Sequence, residues 1–398
     1  MGLSAAYHLT QTGFDVILID QDRIGGGASG SNAGMIRQGD AVNPLDHDIY
    51  RGSYQWYQRW QESGELGYNI ELGEITLLRC FTDQHVTAMS GGQWKHRLET
   101  WEAEGLTMTP RSEWKIKEPH LAPSITWGIE TTSAKINIFR VTRGLAHATQ
   151  QLGGEICPFT EAQDIEVHQG RVHKVVTNRG KIQTDYVVNA AGGWAGHIGT
   201  FVDHAIPILP ALGTGLATES IPPITNHERL VYEPLWFNPH QPFRPHSADP
   251  CQRLGVTTEI DRHITEDNYI IARSEHVIPL PKHKTQVQPE PETVQCIAES
   301  AIHIVPQLAN VHIIRVYAGL RPVCEVDGKP ILCASETVEG FIIAAGPWHT
   351  GMSYGPMCGQ LVAELIADTP SSIPLHELHL SRFADQDHFP YIHGFHPP

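Results

Sequence analysis

The sequence predicts an α/β fold with a second domain of mainly antiparallel strands inserted into it. Three observations lead to this prediction: a helix and a buried strand open the chain, a strand and a helix close it, and short strands lie between them. With 398 residues, the chain is long enough for two packed domains that each have a hydrophobic core.

The opening helix and strand resemble part of a dinucleotide-binding unit. Residues 2–9 are rich in Ala and Leu, and Gly13 is a typical C-terminal stop for a helix. Residues 14–19 form the apolar run of a buried parallel strand, which ends at Asp20 and Gln21. A carboxylate at this point accepts hydrogen bonds from the hydroxyls of an adenosine ribose.

Gly2 fits the third glycine of the dinucleotide fingerprint, where it allows a helix to pack closely on a strand. Gly2, Leu3 and Ser4 are therefore predicted to lie at the phosphates. The first strand of the unit and its first two glycines, about ten to fifteen residues, are expected to be absent from the chain as written. We expect this chain to bind its dinucleotide weakly for that reason.

A glycine-rich segment, residues 23–37, follows the strand and contains five glycines. Such a backbone can approach a diphosphate closely, and its small residues leave room for a flat ring. A flexible linker is the alternative, but linkers are rarely followed at once by Met, Ile and Arg.

The first forty residues resemble the FAD-dependent amino acid oxidase superfamily, which includes glycine oxidase, sarcosine oxidase and D-amino acid dehydrogenase. The resemblance implies that Asp20 holds the ribose and that Arg37 lies near the flavin, where it contacts the substrate carboxylate. Some relatives attach flavin through a histidine in this loop, whereas this chain has Ser31 and Asn32, so non-covalent FAD is expected. The residues implied to wrap the pyrophosphate and the isoalloxazine are Ser29, Asn32, Ala33, Gly34 and Met35.

The middle of the chain predicts a β-meander over residues 164–188, whose last strand runs into Ala-Ala-Gly-Gly-Trp. A tight strand-to-helix turn is the alternative reading of that segment. The resemblance places Ala191, Gly192 and Trp194 along the FAD and the backbone of Ala162 at the adenine.

Two late motifs resemble the family most closely. Residues 317–322 read Tyr-Ala-Gly-Leu-Arg-Pro, and residues 341–352 lead into a last helix predicted over residues 359–366. The resemblance implies that Arg321 binds the substrate carboxylate, because a guanidinium binds carboxylates bidentately, although a structural salt bridge is the alternative. His349 is the third catalytic candidate. The residues implied to cover the isoalloxazine are Gly346, Thr350, Gly351 and Met352.

Relatives often carry Gly-His where this chain has Gly346 and Pro347, and glycine-oxidase-like members can carry arginine at the position of His349. Both departures count against glycine itself as the substrate. The predicted Rossmann-type FAD-binding domain comprises residues 1–80, 145–205 and 315–370. The predicted α+β substrate domain comprises residues 81–144 and 206–314, and residues 371–398 form a C-terminal tail.

The composition excludes some partners. The formal net charge of −16 repels phosphate backbones and makes nucleic acid an unexpected partner. The seven cysteines are scattered without a CxxC pair and the histidines are dispersed, so reduced thiols in a cytoplasmic protein without a metal site are expected. No apolar run approaches the ~18 residues that span a bilayer, which leaves peripheral contact with the inner face of the membrane open.

The predicted function is oxidation of the C–N bond of an amino acid or N-substituted amino acid, with hydride transfer to flavin N5 and oxygen or another group as acceptor. One alternative is a dehydrogenase subunit of a hetero-oligomer that passes electrons to a partner protein or quinone. Another is a flavin-free interaction subunit. The substrate, its chirality and a homo- or hetero-oligomeric state stay open.

Overall fold

The computed structural model describes residues 1–37, 43–114, 118–237, 244–263, 267–283 and 286–384. The α-helices in these residues are spread along the chain. They are α1 (Gly2–Gln11), α2 (Pro44–Ser63), α3 (Asp83–Ala88), α4 (Gly92–Ala103), α5 (Arg111–Trp114), α6 (Ile138–Gln151), α7 (Ala195–Thr200), α8 (Pro250–Arg253), α9 (Pro291–Ile304) and α10 (Gly351–Ile366).

The strands of the described residues lie singly or in runs between these helices. They are β1 (Ile17–Ile19), β2 (Met35–Ile36), β3 (Gly73–Phe81), β4 (Met108–Pro110), β5 (Trp127–Lys135), β6 (Glu155–Cys157), β7 (Ala162–His168), β8 (Arg171–Thr177), β9 (Gly180–Gln183), β10 (Val187–Asn189), β11 (Ile208–Thr218), β12 (Arg229–Tyr232), β13 (Thr258–Arg262), β14 (Tyr269–Ala272), β15 (His276–Val277), β16 (Ile313–Cys324), β17 (Ile331–Ala334) and β18 (Phe341–Ala345).

Parallel pairing joins β1 to β6 and β10 to β18, and β17 lies antiparallel on β18. Strands β7, β8 and β9 form a separate antiparallel sheet. The remaining strands form a ten-stranded sheet in the order β15-β11-β14-β13-β12-β3-β5-β2, with β16 on β11 and β4 on β5. This arrangement confirms the predicted α/β fold with an antiparallel sheet.

The opening and closing helices pack against each other. Ala5 and Leu9 of α1 share a buried cluster with Leu361 of α10, and β18 is buried along its whole length. Burial of each Leu side chain stabilises this contact by roughly 1.5–3 kcal/mol. The packing of α1 against α10 joins two helices that are far apart in the sequence.

Three boundaries differ from the sequence prediction. Strand β1 begins at Ile17, although the apolar run begins at residue 14. The predicted last strand of the meander is two strands, β9 and β10, because Thr184 Oγ1 donates to the carbonyl of Tyr186 in a local turn between them. Strand β3 also crosses the domain boundary predicted at residue 80, and the division into domains stays a prediction.

The prediction that the last helix begins at residue 359 is wrong, because α10 begins at Gly351 and contains Pro356. Proline has no N–H to donate to the carbonyl of Met352. The hydroxyl of Tyr57 on α2 donates to that carbonyl instead, at 2.9 Å. A contact from another helix therefore compensates for a residue that the sequence marks as a helix breaker.

The sequence also predicts a hairpin from Gly255 to Glu275 with its turn at residues 266–268, and the antiparallel pairing of β13 with β14 confirms the hairpin. Part of its predicted turn, including Glu266, lies outside the described residues.

Candidate active site

The glycine-rich loop, the middle of β16 and the turn before α10 meet at one cavity of about 100 Å³. Strand β16 pairs with β11 through eleven residue pairs, which fixes the position along the cavity of each of its side chains. Ten of the residues that line the cavity are Asn32, Ala33, Met35, Arg37, Arg229, Glu259, Arg273, Tyr317, Arg321 and His349.

Glycines on β11 make room for the two large side chains of β16. A Cβ at Gly213 would come within 2.2 Å of Arg321 Nη1, and a Cβ at Gly215 would come within 2.5 Å of the Tyr317 ring. A glycine inside a strand often marks such a close approach. The Leu-Gly-Thr-Gly segment of β11 was the sequence signal for this site, and the sequence analysis did not use it.

The hairpin and the neighbouring strand β12 contribute a buried charge network that sequence reasoning missed. Glu259 accepts from Arg229 at 2.9 Å and lies 3.5 Å from Arg273, and Arg229 also contacts Asp261 at 2.8 Å. Burial alone would raise the pKa of Glu259, but the two arginines lower it to about 2. Glu259 is therefore ionised and paired at neutral pH.

Arg321 has no carboxylate within 4.0 Å among the residues with described coordinates. Its Nη1 donates to the carbonyl of Ser274 at 2.6 Å, and burial lowers its pKa. Arg37 donates its backbone N–H to Ser353 Oγ at 2.8 Å, and in the described part of the chain its guanidinium has no ion pair. Both groups are available to an anion.

The turn before α10 places Trp348 and His349 at the cavity. Trp348 adopts a positive φ of 43° and donates its Nε1–H to Glu275. Burial first, and then the charges of Arg37 and Arg273, hold the pKa of His349 well below its usual value. The imidazole is therefore neutral, and its Nδ1 has no partner in the part of the chain that is described.

Several residues outside the cavity lining leave space and hydrogen-bond donors that suit a flat, anionic cofactor. A Cβ at Gly27 or Gly192 would meet nothing within 4 Å, so space is open beside both backbones. Gln21 Oε1 is buried without a partner in the described residues, next to Asp20 at the end of β1. The N-terminus of α10 has no side-chain cap, which leaves backbone donors and the positive end of the helix dipole for a negative charge.

The structure brings together Asn32, Ala33, Met35, Arg37, Arg321 and His349 among the predicted site residues. Thr160, two residues before Ala162, donates its backbone N–H to the Asp20 carbonyl at 2.7 Å. The other predicted cofactor residues do not line the cavity, and their role stays a prediction. They are Gly2, Leu3, Ser4, Asp20, Gln21, Ser29, Gly34, Ala162, Ala191, Gly192, Trp194, Gly346, Thr350, Gly351 and Met352.

Several of these residues are accounted for by packing. A Cβ at Gly2 would lie 3.3 Å from Ala190 Cβ, so α1 needs a glycine or a yielding neighbour here. Ser4 is buried, and its hydroxyl donates to the carbonyl of Pro356 across the contact of α1 with α10. Trp194 donates its Nε1–H to the carbonyl of Pro281 at 2.9 Å.

Curated relatives of the chain include enzymes and a regulatory protein. It is 27% identical over 256 residues to the bifunctional protein ThiO/ThiG of Trichormus variabilis, covering 64% of this chain and 34% of the relative. It is 24% identical to the mitochondrial pyruvate dehydrogenase phosphatase regulatory subunit of Mus musculus, covering 96% and 42%. The chain thus spans roughly a third to two fifths of these relatives. It is also 21% identical to glycine oxidase of Geobacillus kaustophilus, covering 96% and 94%.

Solved structures share the fold. Glycine oxidase from Bacillus cereus superposes with a TM-score of 0.75 at 22% identity, and L-proline dehydrogenase from P. horikoshii with 0.78 at 21%. Each comparison covers 96% of this chain and 95% of the other. Among the described residues, no helix has both the length and the apolar character that a membrane crossing requires.

The family comparison covers most of the chain. The model of the DAO family, described as FAD dependent oxidoreductase, matches residues 1–365. The chain therefore belongs to the DAO family of FAD-dependent oxidoreductases.

Proposed function

We propose that this protein oxidises the C–N bond of an amino acid or an N-substituted amino acid whose carboxylate is bound by Arg321. The observation that carries the proposal is a partly buried guanidinium without a carboxylate partner among the described residues, in a cavity beside the glycine-rich loop. The names of the relatives support it, since they include glycine oxidase, L-proline dehydrogenase and iminodiacetate oxidase.

Bound FAD would supply the hydride acceptor, and the residues of the chain would position the substrate. The fork of Arg321 suits both oxygens of a carboxylate, which fixes the orientation of the adjacent C–H bond. Gly213 and Ser274 hold that fork in place from two sides. His349 stays neutral beside it, so the imidazole adds no charge that would compete for the carboxylate.

Oxidation of a panel of amino acids, with FAD added in excess and a dye as acceptor, tests the proposal. Arg321→Ala should lower kcat/KM by about two to three decades, because losing one partner of a buried charge pair costs roughly 2–5 kcal/mol. Arg321→Lys keeps the charge but loses the fork, and should recover only part of the loss. The flavin absorbance of each variant reports whether FAD binding is intact.

Unchanged kinetics of Arg321→Ala on every carboxylate substrate would refute this assignment. Failure of the wild-type protein to oxidise any amine on the panel, with FAD demonstrably bound, would refute the proposed reaction itself.

In a second candidate function, the chain oxidises the same C–N bond but passes the electrons to a different acceptor. The chain is then one subunit of a hetero-oligomeric dehydrogenase. The chain is 26% identical to the hydrogen cyanide synthase subunit HcnC of Pseudomonas protegens, covering 68% of this chain and 58% of that subunit. Reoxidation of the reduced flavin by dissolved oxygen distinguishes an oxidase from such a subunit.

A third candidate is a flavin-free interaction subunit, and the mouse regulatory subunit is the relative that favours it. The visible absorption spectrum of the purified protein after addition of FAD tests this candidate directly. The cytoplasmic location and the non-covalent attachment of FAD stay predictions.

A further inference from the structure

Two arginines of the cavity are available to anions at the same time. Arg229 forms ion pairs with both Glu259 and Asp261, and Arg273 lies 3.5 Å from Glu259. Arg37 and Arg321 have no carboxylate within 4.0 Å among the described residues. One carboxylate needs only one guanidinium fork, because the fork donates to both of its oxygens.

The two available guanidinium groups come from different parts of the fold. Arg37 directly follows β2, whereas Arg321 lies in the second half of β16. Both line the same cavity, and His349 experiences the charge of each. One end of a small ligand can therefore contact Arg37 while its other end contacts Arg321.

The charges around the cavity are not balanced. The charged residues that line it are Arg37, Arg229, Arg273, Arg321 and Glu259. Asp261, Glu275 and Glu233 also interact with three of these arginines, and Glu233 is itself paired with Arg97. A zwitterionic amino acid with one carboxylate is neutral in solution and leaves this positive excess in place. A dicarboxylic amino acid carries one net negative charge and reduces it.

We propose that the substrate of this site carries a second anionic group, which Arg37 binds while Arg321 binds the α-carboxylate. This inference rests on the proposed function and narrows its substrate class to acidic amino acids or amino acids with an N-carboxyalkyl group. A carboxylate or a phosphate could fill the second position, since a guanidinium fork binds both.

Pairs of substrates that differ only in the second charge test the inference. With FAD in excess, we expect kcat/KM for aspartate over asparagine, for glutamate over glutamine or for N-(carboxymethyl)glycine over sarcosine to be roughly tenfold or higher. Both enantiomers of each chiral substrate are measured. O-phosphoserine compared with serine shows whether phosphate is the preferred group.

In Arg37→Met, the ratio of kcat/KM between the anionic substrate and its neutral partner should fall to about one. Arg37→Lys should keep part of this ratio because the charge remains. Arg51→Met is the matched control, because Arg51 is an exposed arginine on α2 whose guanidinium pairs with Asp48 at 2.7 Å, and its ratio should equal that of the wild type. If Arg37→Met does not fold, the wild-type ratios and the Arg37→Lys ratio decide the question.

The failures of the two proposals are distinguishable. Oxidation of neutral amino acids as fast as their anionic partners, or an unchanged ratio in folded Arg37→Met, overturns only the second anionic group. Absence of oxidation of every amine by the FAD-loaded protein overturns the proposed function, and this inference with it.

Discussion

Gly213 lies directly against the guanidinium of Arg321, where a Cβ would come within 2.2 Å of Nη1 and 2.5 Å of Cζ. The two residues lie on paired strands, and Gly213 pairs with Gly319, two residues before the arginine. The missing side chain at position 213 therefore determines where the Arg321 fork can lie.

Gly213→Ala should displace the fork without disrupting the sheet, because the contact falls on the flexible end of a side chain. A misplacement of about 1 Å can cost up to roughly a hundredfold in rate, so we expect kcat/KM for amino acids to fall by that order. Steady-state kinetics and the flavin spectrum measure the two effects separately.

Gly91→Ala is the control, since a Cβ at Gly91 would meet nothing within 4 Å and its backbone is extended. Its kinetics should match those of the wild type. Equal kinetics of Gly213→Ala and the wild type would show that the fork does not depend on this glycine.

Two parts of the site could be predicted from the sequence, because the residues of each part are close together in the chain. The glycine-rich loop with Arg37 and the motif with Arg321 each form a contiguous pattern, and the structure brings both to one cavity. The charged residues of β12 and the hairpin could not be predicted in this way. Arg229, Glu259 and Arg273 are scattered through an irregular stretch, and only the pairing of β12, β13 and β14 makes them neighbours.

The start of α10 shows a second limit of prediction from sequence. Pro356 indicates a break in a helix, and the sequence alone does not show that Tyr57 supplies the missing donor from a distant helix. Long-range compensation of this kind has no local sequence signal.

Asp20→Ala should weaken FAD binding while the protein stays folded. Asp20 directly follows β1, and its Oδ1 accepts the backbone N–H of Asp22 at 2.9 Å. Loss of charged hydrogen bonds to a ribose, roughly 1.5–3 kcal/mol, corresponds to about a tenfold to hundredfold higher Kd for FAD. Fluorescence titration with FAD measures it, and circular dichroism checks the fold.

Asp15→Ala is the matched control, because Asp15 is an exposed aspartate just before the same strand. It should bind FAD as the wild type does. An equal Kd for wild type and Asp20→Ala would mean that Asp20 is only a solvated strand end.

The pH profile of kcat/KM should contain no step from His349 between about pH 6 and pH 8. Its pKa lies well below 6.5, so the imidazole is already neutral throughout this range. His349→Asn should therefore change the height of the profile but not its shape. An acidic limb near pH 6.5 that disappears in His349→Asn would contradict this prediction.

The pKa of a second buried histidine is shifted in the opposite direction. His227 is buried between Glu118 and Glu130, with Nδ1 2.7 Å from Glu118 Oε1 and Nε2 2.8 Å from Glu130 Oε1. Burial alone would lower the pKa of His227, but the two carboxylates outweigh it and hold the pKa above its usual value. Glu118 is fully buried, and its Oε1 also accepts the backbone N–H groups of Asn226 and His227.

A raised pKa in the folded state means that this pair stabilises the protein fully below about pH 6.5 and progressively less as the pH rises through the folded pKa. Each unit between the folded and unfolded pKa corresponds to roughly 1.4 kcal/mol. The double variant Glu118→Gln/His227→Gln has no charge to titrate at either position. Its free energy of unfolding should therefore fall less than that of the wild type between about pH 6 and pH 8.5.

Urea unfolding at several pH values measures this difference. The double variant Glu219→Gln/His312→Gln is the control, because the pair has the same 2.7 Å contact but the His312 side chain is 83% exposed. Water screens an exposed pair. The slope of the control variant's unfolding free energy against pH should therefore stay close to that of the wild type. Parallel curves for the wild type and the buried double variant would show that His227 carries no extra proton in the folded state.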